Sequence, residues 1–320
     1  MSRSSLSHSN VTGAGPQKGV LTGLIGRHIG ASRSPWLHEQ EGRAQGLELR
    51  YTLFDFAVME RDGSHLCAQL DVARDLGYSG LNITYPYKQA VIACLDELSA
   101  SAARVGAVNT VQFAAGKRVG HNTDVLGFAE SMRDGLPGAL LDRVLQVGAG
   151  GGGAATAQAL LDLGAGTLII CDRDSSRATA LVRKVNDTFG PGRALMAVDP
   201  LDVIGGVNGF VNATPMGMAA HPQAPIDTSR LQSHQWVADI VYFPLETELL
   251  RAARARGCRT LDGSGMVVFQ AAAAFEIFTG RQANRPRMRR SFAEYGAAVA
   301  SAAAQGESRI GPDHAPSPDV

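Results

Sequence analysis

Two sets of residues in this chain have types and spacings that could do chemistry. The first is glycine. Gly148, Gly150 and Gly153 satisfy G-x-G-x-x-G, with Gly151 and Gly152 between them. The pattern follows an apolar run, Val144–Val147, and precedes a helix-forming stretch, Ala154–Leu163. In that setting the first glycine permits a tight turn and the second lets backbone approach a pyrophosphate. The third lets helix and strand pack closely. The helix N-terminus then offers N–H groups and a positive dipole end to the phosphates. This predicts a dinucleotide site. Asp172 ends the next apolar run, near the roughly 20-residue offset at which a carboxylate accepts ribose hydroxyl hydrogens. A carboxylate there repels a 2′-phosphate, so NAD is expected over NADP. Arg173 follows, placed to stack on adenine or to pair with a neighbouring acid, Asp172 or Asp174.

The second set is polar and lies in the first half. It comprises Ser32-Arg33-Ser34-Pro35, Asn82 through Lys88, Gly106 through Thr110, and Gly120-His121-Asn122-Thr123-Asp124. Polar groups at strand ends beside helix starts are where an open α/β sheet receives its ligand. Lys88 falls at the start of an expected helix, Tyr87–Cys94, whose dipole would lower its pKa. A carboxylate such as Asp124 would raise it again and hold the ammonium. A lysine tuned that way can exchange a proton with a substrate hydroxyl. Spacing alone leaves open whether the two meet. It also leaves plainer roles open. Ser34 could be a helix N-cap with Pro35 in the first turn. Asn109 and Asn122 could bond their own backbone. Tyr85, Tyr87 and Tyr242 could simply pack.

These residues must be positioned by strands and helices. Short apolar runs alternate with helical segments. Val20–Ile25, Leu49–Phe54, Gly80–Ile83, Val144–Val147, Thr167–Cys171, Gly209–Asn212 and Val237–Val241 read as strands. Pro35–Gln45, Ser64–Leu76, Ala154–Leu163, Ser176–Asp187, Glu246–Arg256, Val267–Phe278 and Pro286–Ala302 read as helices. This alternation implies βα units and largely parallel sheets. The 320 residues suit two domains. The polar stretches 1–18 and 304–320 read as disordered tails.

Composition excludes several classes. Thirty Lys+Arg balance thirty Asp+Glu, so nothing in the net charge favours nucleic acid or an anionic membrane. No apolar run approaches the roughly 18 residues of a membrane span. The four cysteines are scattered, without a CxxC pair, which implies a reducing cytoplasm, no disulfide framework and no zinc site. The histidines lack metal spacing, so no metal is expected. The five arginines of 281–290 read as a solvated helix end.

The ordered motifs resemble the shikimate dehydrogenase family. Those named above continue in Asn212-Ala213-Thr214-Pro215-Met216-Gly217, Asp239–Tyr242 and Gly265–Gln270, so the resemblance covers about residues 20–300. It implies that Ser32 and Ser34 hold a substrate carboxylate, and that Thr84, Asn109 and Gln270 meet ring hydroxyls. It implies Lys88 and Asp124 as the catalytic pair and Tyr242 close to the substrate. Thr214, Met216, Ile240 and Gly263 would lie on the nicotinamide side. NADP-using members usually carry Asn-Arg-Ser/Thr where this chain has Asp172-Arg173-Asp174. That departure, and the stretch 240–249, is similar to the NAD-dependent quinate/shikimate dehydrogenase branch.

The expected architecture is therefore α/β and two-domain. A discontinuous substrate domain (19–123, with helices of 264–303 returning to it) carries an inserted Rossmann dinucleotide-binding domain (124–263). The expected activity is reversible oxidation of a ring secondary alcohol of shikimate or quinate with NAD. The rival is an NADP-dependent biosynthetic shikimate dehydrogenase, and a more distant one is a non-catalytic NAD-binding regulator. The expected partner is a small molecule, with a homodimer left open.

Overall fold

The structure is a computed structural model, and it describes residues 19–304. The two tail readings lie largely outside the described residues. Two six-stranded sheets follow one another along the chain. The first is built from β1 (Val20–Gly26), β2 (Leu49–Asp55), β3 (Gly80–Ile83), β4 (Glu97–Leu98), β5 (Thr110–Ala114) and β6 (Lys117–His121). Its order is β2-β1-β3-β5-β6-β4. Helices α1 (Ser34–Ala44), α2 (Leu66–Asp75) and α3 (Ala100–Val105) accompany it.

The second sheet holds β7 (Arg143–Val147), β8 (Thr167–Cys171), β9 (Ala194–Met196), β10 (Gly209–Asn212), β11 (Trp236–Asp239) and β12 (Arg259–Leu261). Its order is β12-β11-β10-β7-β8-β9 and every pair is parallel. That is the doubly wound dinucleotide-binding order, which reverses between β7 and β10. Helices α5 (Gly151–Asp162), α6 (Ser175–Phe189) and α7 (Glu248–Ala255) supply crossovers. Buried strands such as Val144-Leu145 and Leu168-Ile169-Ile170 carry side chains into both faces. That is why they read as continuous apolar runs.

Three helices join the layers. α4 (Thr123–Gly135) packs along α8 (Ser264–Thr279) and also touches α5. Gly127 makes this close approach, because an added Cβ would stand 2.7 Å from the Met266 carbonyl. α8 contributes Val268, Phe269, Ala272 and Phe275 to a core shared with α1, β1 and β2. α9 (Arg285–Ala304) lies on α1 and α8. Among the described residues no helix is long and apolar enough to cross a membrane.

Several expectations are corrected. The first sheet is mixed, since β5 pairs antiparallel with both β3 and β6. The two hairpin strands around Ala115-Gly116 are too short and polar to stand out as apolar runs. The expected helix Tyr87–Cys94 is a turn followed by a 3-10 segment, Ala90–Cys94. The Lys88 carbonyl accepts from Val108 N at 2.7 Å instead of from a helical partner. The helix-dipole effect assigned to Lys88 is therefore withdrawn. Arg33, not Ser34, is the N-cap residue of α1. The Ser34 N–H is met by Ser32 Oγ.

Cys67 and Cys94 form a disulfide, contrary to the reading of four unpaired cysteines. Their spacing of 27 carries no motif. They meet because α2 and the 3-10 segment pack together. Three arginines of α9 are paired rather than merely solvated. Arg285 bonds Glu130 and Glu276, Arg287 bonds Glu41, and Arg289 bonds Asp134.

Candidate active site

In both sheets the chain changes direction beside a central strand, and the candidate residues follow the carboxyl ends of the strands there. Ser32 and Ser34 follow β1, and Thr84 and Lys88 follow β3. The Thr84 N–H donates to Ile25 O, and Gly26 leaves room for the Thr84 methyl. Lys88 Nζ donates to Asp124 Oδ2 at 2.6 Å. The Asp124 side chain is 9% exposed and that of Lys88 24% exposed, so the pair is sheltered with its lysine reachable.

Asp124 stands in the first turn of α4, whose start is well defined. Asn122 caps it, accepting from Val125 N and donating to Ala107 O. Asn109 Oδ1 accepts from Thr123 N at 2.8 Å, and Asn109 Nδ2 donates to Thr123 Oγ1. Asn109 thus locks the residue before Asp124. Its amide has two hydrogens, so one remains for a ligand.

Tyr51 and Asn82 were not singled out as site residues by sequence, and they tie this end together. Tyr51 Oη donates to Asn82 Oδ1 at 2.8 Å, and Asn82 Nδ2 donates to Thr110 Oγ1. Burial pushes the pKa of the Tyr51 hydroxyl up, and the Ser34 side chain works against that rise. One buried chain of hydrogen bonds therefore runs from Tyr51 to Asn109. For Tyr51 the sequence signal was a tyrosine in strand register beside β1, while Asn82 headed the polar segment Asn82 through Lys88.

The glycine loop sits at the switch between β7 and β10. Gly148 has φ +107°, and a Cβ there would stand 2.5 Å from Ala213 O. Gly153 packs directly on the Gly148 carbonyl. Gly150 precedes α5, and a Cβ on it would meet nothing within 4 Å. The first turn of α5, including Gly151 and Gly152, is thus backbone that an anion can approach. Gln146 clamps the loop, donating to Gly148 O and Gly153 O while accepting from Thr156 Oγ1. Gln146 and Thr156 were missed, although a glutamine inside an apolar strand was a visible signal.

Asp172 Oδ2 accepts from Ala149 N at 2.7 Å, and its Oδ1 accepts from Asp174 N. Each carboxylate oxygen keeps a second acceptor direction for ribose hydroxyls. Asp174 caps α6, and Arg173 is exposed beside it. These features fit a dinucleotide.

The loop and the lysine face each other. A Cβ on Gly151 would lie 3.8 Å from Lys88 Cδ, and one on Gly152 would lie 2.9 Å from Ile240 Cδ1. Thr214 Oγ1 donates to Asn212 Oδ1 and accepts from Met216 N, which shapes the turn after β10. Gly263 packs under the Ile240 and Val241 carbonyls. Gln270 lies against Gly127 of α4, its amide donating to Val267 O. Tyr242 is half-exposed in the loop after β11.

A dinucleotide loop set against a lysine–carboxylate pair defines the chain as a pyridine-nucleotide-dependent oxidoreductase of the two-sheet α/β kind. Comparison with known proteins gives the family. The model of the shikimate dehydrogenase substrate-binding domain matches residues 24–111, and that of the shikimate 5′-dehydrogenase C-terminal domain matches 263–291. A shikimate dehydrogenase (NADP(+)) of Streptomyces avermitilis is 52% identical over 87% of this chain and 96% of its own. A quinate/shikimate dehydrogenase (NAD(+)) of Corynebacterium glutamicum is 50% identical over 85% of this chain and 98% of its own. The structure of quinate dehydrogenase from C. glutamicum in complex with NAD superposes with a TM-score of 0.82. It is 49% identical and covers 86% of this chain and 99% of that one. The chain belongs to the shikimate dehydrogenase family.

Proposed function

We propose that the chain catalyses the NAD-dependent, reversible oxidation of the ring secondary hydroxyl of shikimate or quinate. The products are 3-dehydroshikimate or 3-dehydroquinate. The observation that carries this reading is the sheltered Lys88–Asp124 pair, 2.6 Å apart, beside Gly151 of the dinucleotide loop. When bound, the nicotinamide accepts the hydride from the ring carbon. Lys88 accepts the hydroxyl proton at Nζ, and Asp124 orients that amine and stabilises it once charged. In the reverse direction the Lys88 ammonium polarises the ketone and returns the proton.

Around this pair, Ser32 and Ser34 hold the substrate carboxylate, and Thr84, Asn109 and Gln270 hold the ring hydroxyls. Tyr242 borders the substrate, while Thr214, Met216, Ile240 and Gly263 border the nicotinamide. Backbone N–H groups of Gly150 through Gly153 take the pyrophosphate. Residues 19–123 with 264–303 form the substrate domain, and 124–263 the nucleotide domain. We place the reaction in the cytoplasm on the cofactor requirement alone, since the Cys67–Cys94 disulfide removes the cysteine-based argument for a reducing compartment.

Asp172 supports NAD over NADP, because its carboxylate is fastened to the loop at Ala149 N and cannot swing away from a 2′-phosphate without breaking that bond. The 52% identity to an NADP-named relative favours the second reading, an NADP-dependent shikimate dehydrogenase. Initial rates with shikimate and with quinate, each with NAD and with NADP, separate the two. Equal or better kcat/KM with NADP would replace the first reading by the second.

A further inference from the structure

Arg33 lies between the two serines assigned to the substrate carboxylate, yet its side chain turns elsewhere. It is only 8% exposed. Its guanidinium carbon stands 4.6 Å from the centre of the Phe292 ring and 5.7 Å from that of Tyr295, both on α9. The third ring comes from the other sheet. Phe243, in the loop after β11, lies 5.5 Å away. A Cβ on Gly296 would come within 3.4 Å of Arg33 Nη1, so glycine at that turn of α9 leaves the guanidinium its space. Among the described residues the guanidinium has no carboxylate partner and no hydrogen bond.

A buried charge without a carboxylate is costly, and an aliphatic side chain of similar length would fill the same space without that cost. Arginine is the cation suited to this setting. Its planar, weakly hydrated guanidinium stacks on ring faces, which attract it through their quadrupoles. The position matters as much as the chemistry. Arg33 is flanked by Ser32 and Ser34, and Phe243 is adjacent to Tyr242. A contact between Arg33 and Phe243 therefore connects the start of α1, in the substrate sheet, to the loop that borders the nicotinamide.

We propose that Arg33 and Phe243 form a cation–π latch that holds the Tyr242-Phe243 loop against the carboxylate-binding end of the substrate sheet. Arg33 is thus a positioning residue for hydride transfer. Its place in the reaction rests on the proposed activity; the latch itself does not. Phe292 and Tyr295 form the fixed half of the clasp, since they ride on a helix packed on α1. Phe243 is the movable half, 55% exposed and carried on a loop.

Two readouts on the full chain test this. The first is amide hydrogen exchange across residues 240–249, without substrate. Arg33→Met, which keeps length and loses charge, should speed exchange in that segment by roughly threefold to tenfold, the worth of one cation–π contact with a buried cation and a half-exposed ring. Phe243→Leu should do the same, and the double variant should add little. Arg33→Lys should fall between, because it keeps charge and loses the planar stack. The second readout is kinetic. In each variant kcat should fall by a similar factor and the primary deuterium isotope effect should change, which a loss of stability alone would not produce. Unchanged exchange at 240–249 in Arg33→Met, or fully additive effects of the two single variants, would overturn the latch. Should Arg33→Met fail to fold, Phe243→Leu alters an exposed ring and decides the question alone. If the parent protein oxidises neither shikimate nor quinate, the functional reading fails while the exchange experiment still judges the latch.

Discussion

Arg287 reaches across 246 residues of chain to close on Glu41, its Nε and Nη2 each donating to a carboxylate oxygen at 2.7 Å. The Glu41 side chain is fully buried. Burial alone would raise its carboxyl, but bonds from Arg287, Asn284 N and Gln45 outweigh burial and hold it below the usual range. The pair fastens α9 to α1, the helix that begins at Ser34.

Removing one partner should therefore cost more than removing both. Arg287→Ala should lower unfolding free energy by about 3–5 kcal/mol, because it strands a buried carboxylate. Arg287→Met with Glu41→Met should cost clearly less. Because the Glu41 carboxyl is depressed, its stabilisation is present above the ordinary carboxylate range and is lost as pH falls through the folded value. Urea melts of the parent and both variants at pH 7 and pH 4 check the size and the sign.

The Lys88–Asp124 pair yields a kinetic expectation. Lys88→Ala should reduce turnover by about 10²–10⁴-fold, the range for losing a general acid or base. Asp124→Asn should reduce it as well, since the amine loses its anchor. NAD affinity, read by fluorescence titration, should stay within a few-fold. Near-parental turnover in Lys88→Ala would remove the lysine from proton transfer.

Cofactor choice is read at Asp172. Asp172→Asn should raise kcat/KM with NADP and lower it with NAD, changing their ratio by about tenfold to a hundredfold through lost repulsion and weakened ribose bonding. Asp174→Ser should add to the shift while preserving the α6 cap, because serine caps nearly as well as aspartate. A ratio that does not move in either variant would assign discrimination to another residue.

Asp239 gives a pH dependence of opposite sense to Glu41. It accepts from Asn212 Nδ2, Val241 N and Thr247 Oγ1. Burial still raises its carboxyl to about 6, against these three bonds. The native state then holds a proton that the unfolded chain releases, so this contribution is greatest below about pH 4 and is lost as pH rises to 6. Asp239→Asn should remove a loss of roughly 2–3 kcal/mol across that window. Thr247 can turn its hydroxyl to accept from the new amide. Melts at pH 4 and pH 7 should show the parent-to-variant difference changing by that amount.

The Cys67–Cys94 bridge closes a loop across α2, β3 and the Lys88 turn. For a separation of 27, chain-entropy reasoning assigns it about 3–4 kcal/mol. Reductant should lower the urea midpoint of the parent accordingly. It should leave a Cys67→Ser, Cys94→Ser variant unmoved.

What the sequence determined by itself is local and patterned. The G-x-G-x-x-G turn, the carboxylate at the end of β8 and the apolar runs of the parallel strands are read along one stretch of chain, because backbone geometry and burial on both faces dictate residue type there. The order of the polar motifs placed the family. Tertiary structure decided what depends on distant residues meeting. Spacing could not join Lys88 to Asp124, Cys67 to Cys94, or Glu41 to Arg287, since each contact is made by elements packing, and packing leaves no periodic mark. It likewise replaced the expected helix at Lys88 with a turn, because the Lys88 carbonyl is claimed by Val108 from the segment leading into β5. The three rings around Arg33 were invisible for the same reason: Phe243, Phe292 and Tyr295 become neighbours only when α9 settles on α1 and the loop after β11 reaches the start of that helix.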